Sequence, residues 1–150
     1  MSVISLDVDL LRIHAFASDT GRVCYNSASV PWNELLNHKL VLMEVASPVF
    51  YCKTRGEIVN RFKWAIFNSM IAGQIAEFTI SHNLPFLVSP SSKWTLGHPE
   101  AIRHEIAGVK SKEHDLRECE CMQYYYQTNP EQWEPFEEYK KSLSTRKEKN

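Results

Sequence analysis

The sequence predicts an α/β protein: a mixed five-stranded sheet, three strands in an antiparallel meander and two more running parallel, with helices on both faces. Three observations predict it. Residues 2–27 carry three short strand-like stretches whose connections are hairpin-sized. Two further apolar stretches, "KLVLMEV" and "PFLVSP", are each preceded by a helical segment, as crossover-linked strands are. Between those two lies a long segment, Thr54 to His82, in which Ile58, Phe62, Ala65, Ile66, Met70, Ile75 and Phe78 recur at spacings near three and four, the helical period.

Taken in order, "SVISLDVDL" is β-branched and apolar up to Asp7, a strand with that carboxylate near its end. "LRIHAFAS" alternates like a half-buried strand, "SDTG" is a turn and "RVCYNS" a third strand. Pro31 opens "PWNELLNH", enough for one or two helical turns. "KLVLMEV" is the fourth strand, ended by Pro48, and Asn83 stops the long helix that follows. "PFLVSP" is the fifth strand. "HPEAIRHEIAG" reads as a helix with Pro at its first position and Gly at its end, and "KEHDLRECECMQYYY" as another. Beyond Asn129 the chain is rich in Glu and Lys, a short helix around Trp133 to Lys141 and then a disordered end. No repeat and no second domain are visible, so residues 1–129 are expected to form the domain and 130–150 a charged C-terminal tail.

The 150-residue chain is large enough to bury a core. The N-terminus lacks a basic-then-apolar leader, so no secretory signal is expected. Asn68, Gln74 and Glu77 interrupt the most apolar helical stretch, Trp64 to Ile80, which argues against a membrane span. The four cysteines, Cys24, Cys52, Cys119 and Cys121, have no disulfide-framework spacing, so a cytoplasmic, reducing setting is the default. A net charge of −1 gives no global sign of nucleic-acid binding. Yet Lys53 to Arg117 holds nine Lys/Arg against six Asp/Glu, which allows a basic face on the middle of the fold.

Carboxylates carry the chemistry. Asp7 stands near the end of the first strand and Glu44 at the end of the fourth, and adjacency of those strands would bring them together. Asp115 and Glu118 are three apart, so they share one side of a late helix. Four clustered carboxylates repel unless a cation compensates them, and hard oxygen ligands are what Mg²⁺ and Mn²⁺ prefer. Two such ions about 4 Å apart activate water and stabilise the leaving oxygen in phosphodiester hydrolysis.

The order and these motifs resemble the RNase H fold and, within it, the RuvC-type Holliday-junction resolvases. Those enzymes begin with a strand ending in Asp, as "MSVISLD" does, and carry a Glu at the end of the fourth strand, as "LVLMEVASP" does. Their last helix carries a pair of acids, matched in "HDLRECECMQYY" by Asp115 and the longer Glu118, and "LPFLVSPSSKW" resembles their fifth strand and following turn. The resemblance spans roughly residues 1–127 and implies a homodimeric endonuclease that cuts branched DNA, four-way junctions above all. It further implies Mg²⁺ or Mn²⁺, two ions per site, on Asp7, Glu44, Asp115 and Glu118. The chain departs from the pattern where "DVDLLRIH" runs on without the family's glycine turn, which makes Asp9 a rival ligand, and where Arg117 and Glu120 replace small and apolar residues. The shortness of the chain and the weakened glycine loop look more like the phage or otherwise divergent branch of that family. A nuclease of RNA–DNA hybrids or flaps, and a catalytically silent nucleic-acid-binding domain, are the alternatives.

Other residues have narrower readings. His114, just before Asp115, is a possible accessory ligand or water-orienting group, or simply an exposed histidine at a helix start. Lys110 and Lys112, which precede the acidic helix, are the foremost candidates for DNA phosphate contacts, with Lys93 and Arg103 beside them. Trp64, Phe67 and Ile71 make the long helix apolar beyond what one sheet face requires; the resemblance assigns that surplus to the dimer interface. Cys119 and Cys121 are expected to be small core residues, and one or two of Tyr124, Tyr125 and Tyr126 to pack inside.

Overall fold

The structure, a computed structural model, describes residues 2–17, 25–27, 29–47 and 54–148. The strands are β1 (Val3–Val8), β2 (Ile13–Ala17), β3 (Tyr25–Ser27), β4 (Leu40–Val45), β5 (Phe86–Pro90) and the two-residue β6 (Glu134–Pro135). The helices are α1 (Trp32–Leu35), α2 (Arg55–Ser81), α3 (Ser91–Trp94), α4 (Glu100–Ala107), α5 (His114–Thr128) and α6 (Phe136–Glu148). The sheet runs β3-β2-β1-β4-β5-β6, with β1, β4 and β5 parallel to one another and β2, β3 and β6 antiparallel to their neighbours. This is the expected mixed five-stranded α/β sheet, with the short β6 added at its edge. The "SDTG" turn, Pro48, Cys24, Cys52 and Lys53 lie outside the described residues.

Strand periodicity divides the core in two. Ile4, Leu6 and Val8 on β1, with Val41, Met43 and Val45 on β4, point to the side covered by Ala72, Ile75 and Ala76 of α2 and Tyr139 of α6. Val3 on β1, Phe16 on β2 and Leu40 and Leu42 on β4 point to the other side, under Cys119, Met122 and Tyr125 of α5 and Trp94. Fully burying a side chain of this size stabilises the fold by about 1.5–3 kcal/mol, and both sides of the sheet draw on it. Cys119 and Cys121 are buried free thiols, and Tyr125 is the buried tyrosine of its run of three.

Polar pins fix the helices over the sheet. The buried Gln123 amide donates to the carbonyls of Val3 (3.2 Å) and Phe16 (2.8 Å), and Ser5 Oγ donates to the Cys119 carbonyl at 2.6 Å. On the opposite face the buried Asn68 of α2 donates to the Glu44 carbonyl (3.1 Å) and accepts from the Ala46 N–H (3.0 Å). Helix ends follow local chemistry. The Thr54 hydroxyl caps α2 by accepting from Glu57 N–H, Asn83 leaves it at φ 52°, and Gly108 ends α4 at φ 63°. Pro99 caps α4 instead of occupying its first turn, in extended conformation. The tail helix runs Phe136–Glu148, past the Lys141 end expected of it and into the segment expected to be disordered; it is preceded by β6 paired with β5, and Trp133 and Tyr139 are buried against the domain. No helix among the described residues is long and apolar enough to cross a membrane.

Candidate active site

The parallel register of β1 and β4 sets Leu6 beside Met43, so the next residues, Asp7 and Glu44, emerge side by side at the carboxyl ends of the two strands. By strand alternation both leave the α2 side, where their neighbours Leu6, Val8, Met43 and Val45 pack, and face α5. The amino-terminal turns of α5 lie over that edge and bring Asp115 and Glu118 to it.

The electrostatics report the gathering. Burial raises the Asp7 carboxyl well above the usual range, and repulsion from Glu44, Asp115, Glu118 and Asp9 adds to it. Burial pushes Glu44 up to about 7; the indole N–H of Trp94, donating to Oε1 at 2.9 Å, works against it, Glu118 raises it further and Arg103 lowers it. These half-buried carboxyls, Asp7 pushed toward neutrality by burial and Glu44, and Glu44 by burial and Glu118, are hard-oxygen donors whose charge a divalent cation would compensate, so the donor set fits such an ion.

The other two carboxylates are partnered. Glu118 accepts from Arg103 through Nη2 (2.5 Å, Oε1) and Nε (3.4 Å, Oε2), and its Oε1 lies 3.0 Å from His104 Nε2. Asp115 is a third exposed, with Oδ1 3.2 Å from His114 Nδ1 and Oδ2 3.5 Å from Nδ1 of the buried His14. His14 stands opposite Asp7 across the β1–β2 pair, and its other nitrogen is 3.6 Å from Glu113. His114 is exposed and contacts Glu100, and the hydrogen bond to Asp115 is the main cause raising its pKa. Among the described residues, Glu100, His114 and Glu118 are the group whose ligand atoms lie within 4.8 Å of one another; Asp7 and Glu44 are not in it.

Several expected residues sit elsewhere than the sequence suggested. Arg103 turns inward as the counter-ion of Glu118 instead of outward to DNA, its guanidinium 5.7 Å from the Trp94 ring centroid. Asp9 belongs to the β1–β2 turn: its Oδ1 accepts from Leu10 N–H (2.7 Å) and its own N–H donates to the Arg12 carbonyl (2.9 Å). Trp64, Phe67 and Ile71 are half-buried, Trp64 donating its indole N–H to the Val8 carbonyl at 2.8 Å while Phe67 and Ile71 pack on the core. The exposed apolar side of α2 is instead Ile58, Phe62, Ile66 and Met70. Lys93, Lys110 and Lys112 are exposed. Glu120, the residue out of pattern, holds the loop carrying two of them by accepting from the N–H groups of Lys110 and Ser111, each at 3.1 Å.

Trp94, His14, His104 and Asn68 are site residues that sequence reasoning missed. Only His14 left a signal, as a polar residue on the strand facing Asp7.

No family model and no curated protein matches this chain. Among solved structures it is similar to the Thermus thermophilus RuvC structure, with a TM-score of 0.54 and 10% identity over 91% of this chain and 100% of that one. The T. thermophilus RuvC in complex with Holliday junction substrate aligns over the same shares at 10% identity and a TM-score of 0.49. The chain has the RuvC-like form of the RNase H fold.

Proposed function

We propose that the protein is a metal-dependent endonuclease that hydrolyses phosphodiester bonds of branched DNA, four-way junctions in particular, and acts as a homodimer in the cytoplasm. The observation that supports it most is the convergence on Asp7 of repulsion from Glu44, Asp115 and Glu118, residues from β4 and α5, at one sheet edge. Such a cluster is costly to fold and is worth keeping for cation binding. Asp7, Glu44 and Asp115 would hold Mg²⁺ or Mn²⁺. When bound, a divalent cation acidifies a water for attack on phosphorus and stabilises the oxygen that leaves. The protein's part is to fix the donors: Asn68 holds the Glu44 backbone, Trp94 orients its carboxylate, and His14 lies under Asp115.

Two features favour branched DNA over a single-strand target. Ile58, Phe62, Ile66 and Met70 repeat every fourth residue along α2 at 47, 58, 49 and 59% exposure, a stripe suited to a second copy of the chain. A two-fold dimer would aim two sites at opposed strands of a junction. Lys110 and Lys112, on the loop that Glu120 ties down, would take backbone phosphates beside the acidic helix. Incubating the protein with labelled four-way junction, duplex and RNA–DNA hybrid, with and without Mg²⁺ or Mn²⁺, tests the reading. Junction cleavage that needs metal supports it. Cleavage of hybrid alone would transfer the site to a hybrid nuclease, and metal-independent binding without cleavage would make the domain a silent binder.

A further inference from the structure

We propose that Leu10 and Leu11, at the tip of the β1–β2 hairpin, form a wedge that enters between bases beside the scissile phosphate and makes the site prefer branched DNA to intact duplex. This deepens the nuclease reading and rests on it.

The two leucines stand where folding has no use for them. Asp9 and Arg12 close the turn around them, the Asp9 N–H donating to the Arg12 carbonyl at 2.9 Å, and Val8 pairs with Ile13 just behind. The inner positions of so tight a turn ordinarily go to Gly, Asn or Asp. Here both are apolar and gain little burial, Leu10 being 41% exposed and Leu11 83%. The turn is nonetheless braced. Asp9 Oδ1 accepts from the Leu10 N–H at 2.7 Å, and the Trp64 indole N–H, reaching from α2, holds the Val8 carbonyl at 2.8 Å. Bracing matters to a wedge, because a mobile tip would lose its contact energy to ordering.

Position says what meets the tip. Asp7 stands at the carboxyl end of β1, and Leu10 follows three residues later, at most about 10 Å away at about 3.3 Å per residue. Nucleotides repeat about every 3.4 Å along a strand, so a phosphate at Asp7 leaves bases up to about three steps away within reach of the tip. On β2, His14 lies 3.6 Å from Glu113, the residue after Lys112, so the loop with the exposed Lys110 and Lys112 borders the same hairpin. An apolar tip set between a basic loop and the carboxylate cluster matches a polyanion that carries flat apolar bases. Leucine is among the side chains that part base steps. Parting a step is costly in intact duplex and cheaper where pairing is already broken, as at a branch point, so the tip penalises duplex and spares the junction.

The test places 2-aminopurine, which fluoresces when unstacked, within about three nucleotides of the branch point of a four-way junction, and follows binding of the full-length protein in the presence of a chelator. The unmodified protein should brighten the probe severalfold. Leu10→Ser with Leu11→Ser should bind without brightening and lose about tenfold or more of the preference for junction over duplex, since burying one leucine is worth a factor of that order. Leu10→Met with Leu11→Met, still apolar, should keep both properties. Junction binding by the unmodified protein without brightening, or equal brightening by the Ser variant, would overturn the inference, and metal-dependent junction cutting would then leave the nuclease reading standing. A Ser variant that brightens normally but sediments differently would assign the leucines to a protein contact and overturn it as well. No binding or cutting of junction by the unmodified protein would overturn both. Should the double Ser variant not fold, the unmodified protein and Leu11→Ser alone, at the more exposed position, still decide.

Discussion

Replacing Glu44 by Gln should make the metal-free protein more stable, by an amount set by pH. Gln keeps the size of the side chain and an oxygen to accept the Trp94 indole N–H, which lies 2.9 Å from Oε1. What it removes is a carboxyl whose pKa rises from 4.5 in the open chain to about 7 when folded, through burial first. At about 1.36 kcal/mol per pKa unit, that shift corresponds to about 3 kcal/mol of folding free energy. Because the folded-state pKa is the higher one, the folded protein binds the proton more tightly. Its stability is therefore intact below pH 4.5 and is lost as pH rises through about 7. Glu44→Gln should gain up to about 3 kcal/mol over the unmodified protein at pH 8 and almost nothing at pH 4. Urea unfolding in the presence of a chelator, at a series of pH values, measures this as a shift in midpoint at constant slope. Mn²⁺ at about 1,000 times its Kd should reverse the order at pH 8, since it stabilises only the competent protein by about 4.1 kcal/mol. A Glu44→Gln protein less stable than the unmodified one at pH 8 without metal, or a difference flat with pH, would refute the electrostatic reasoning.

Three other perturbations separate the roles assigned to other residues. Asn68→Leu removes both bonds that tie α2 to the Glu44 and Ala46 backbone and leaves those groups buried and unmatched. It should cost about 2–4 kcal/mol in urea unfolding, and a loss under half of that would show the amide to be dispensable. Phe62→Glu with Met70→Glu places charges on the exposed stripe of α2 and should yield folded monomers in sedimentation; an unmodified protein that is monomeric at micromolar concentration would contradict the dimer. Lys110→Ala with Lys112→Ala should weaken junction binding for all sequences alike and reduce the salt slope of log K by roughly 0.9 per lost contact. Unchanged affinity and slope would make both lysines ordinary surface.

The element order was legible because each strand carries its own signal. "SVISLDV" and "KLVLMEV" are largely apolar runs, and the carboxylate near the end of each pointed at Asp7 and Glu44. The face of α2 was not legible. Apolar residues line both sides of that helix, so sequence alone could not show that Trp64, Phe67 and Ile71 pack inward while Phe62 and Met70 stay exposed. Arg103 misled for a related reason. A basic residue in the basic middle of the chain reads as surface, and only the packing of α4 against α5 places it on Glu118, fifteen residues away. Trp94 reaches Glu44 across fifty residues through the β4–β5 pair, a contact with no local trace. The two residues of β6 are too few to show any alternation.

The most direct test of the central claim is the Mn²⁺-dependent cut rate on a labelled four-way junction, compared between the unmodified protein and Asp7→Asn at saturating DNA. Asp7 is the residue on which repulsion from the other carboxylates converges, and Asn keeps its shape without its charge. The account predicts paired nicks in opposed strands by the unmodified protein, none by Asp7→Asn, and similar junction affinity for both. Full metal-dependent cleavage by Asp7→Asn, or no cleavage by the unmodified protein in either Mg²⁺ or Mn²⁺, would contradict it.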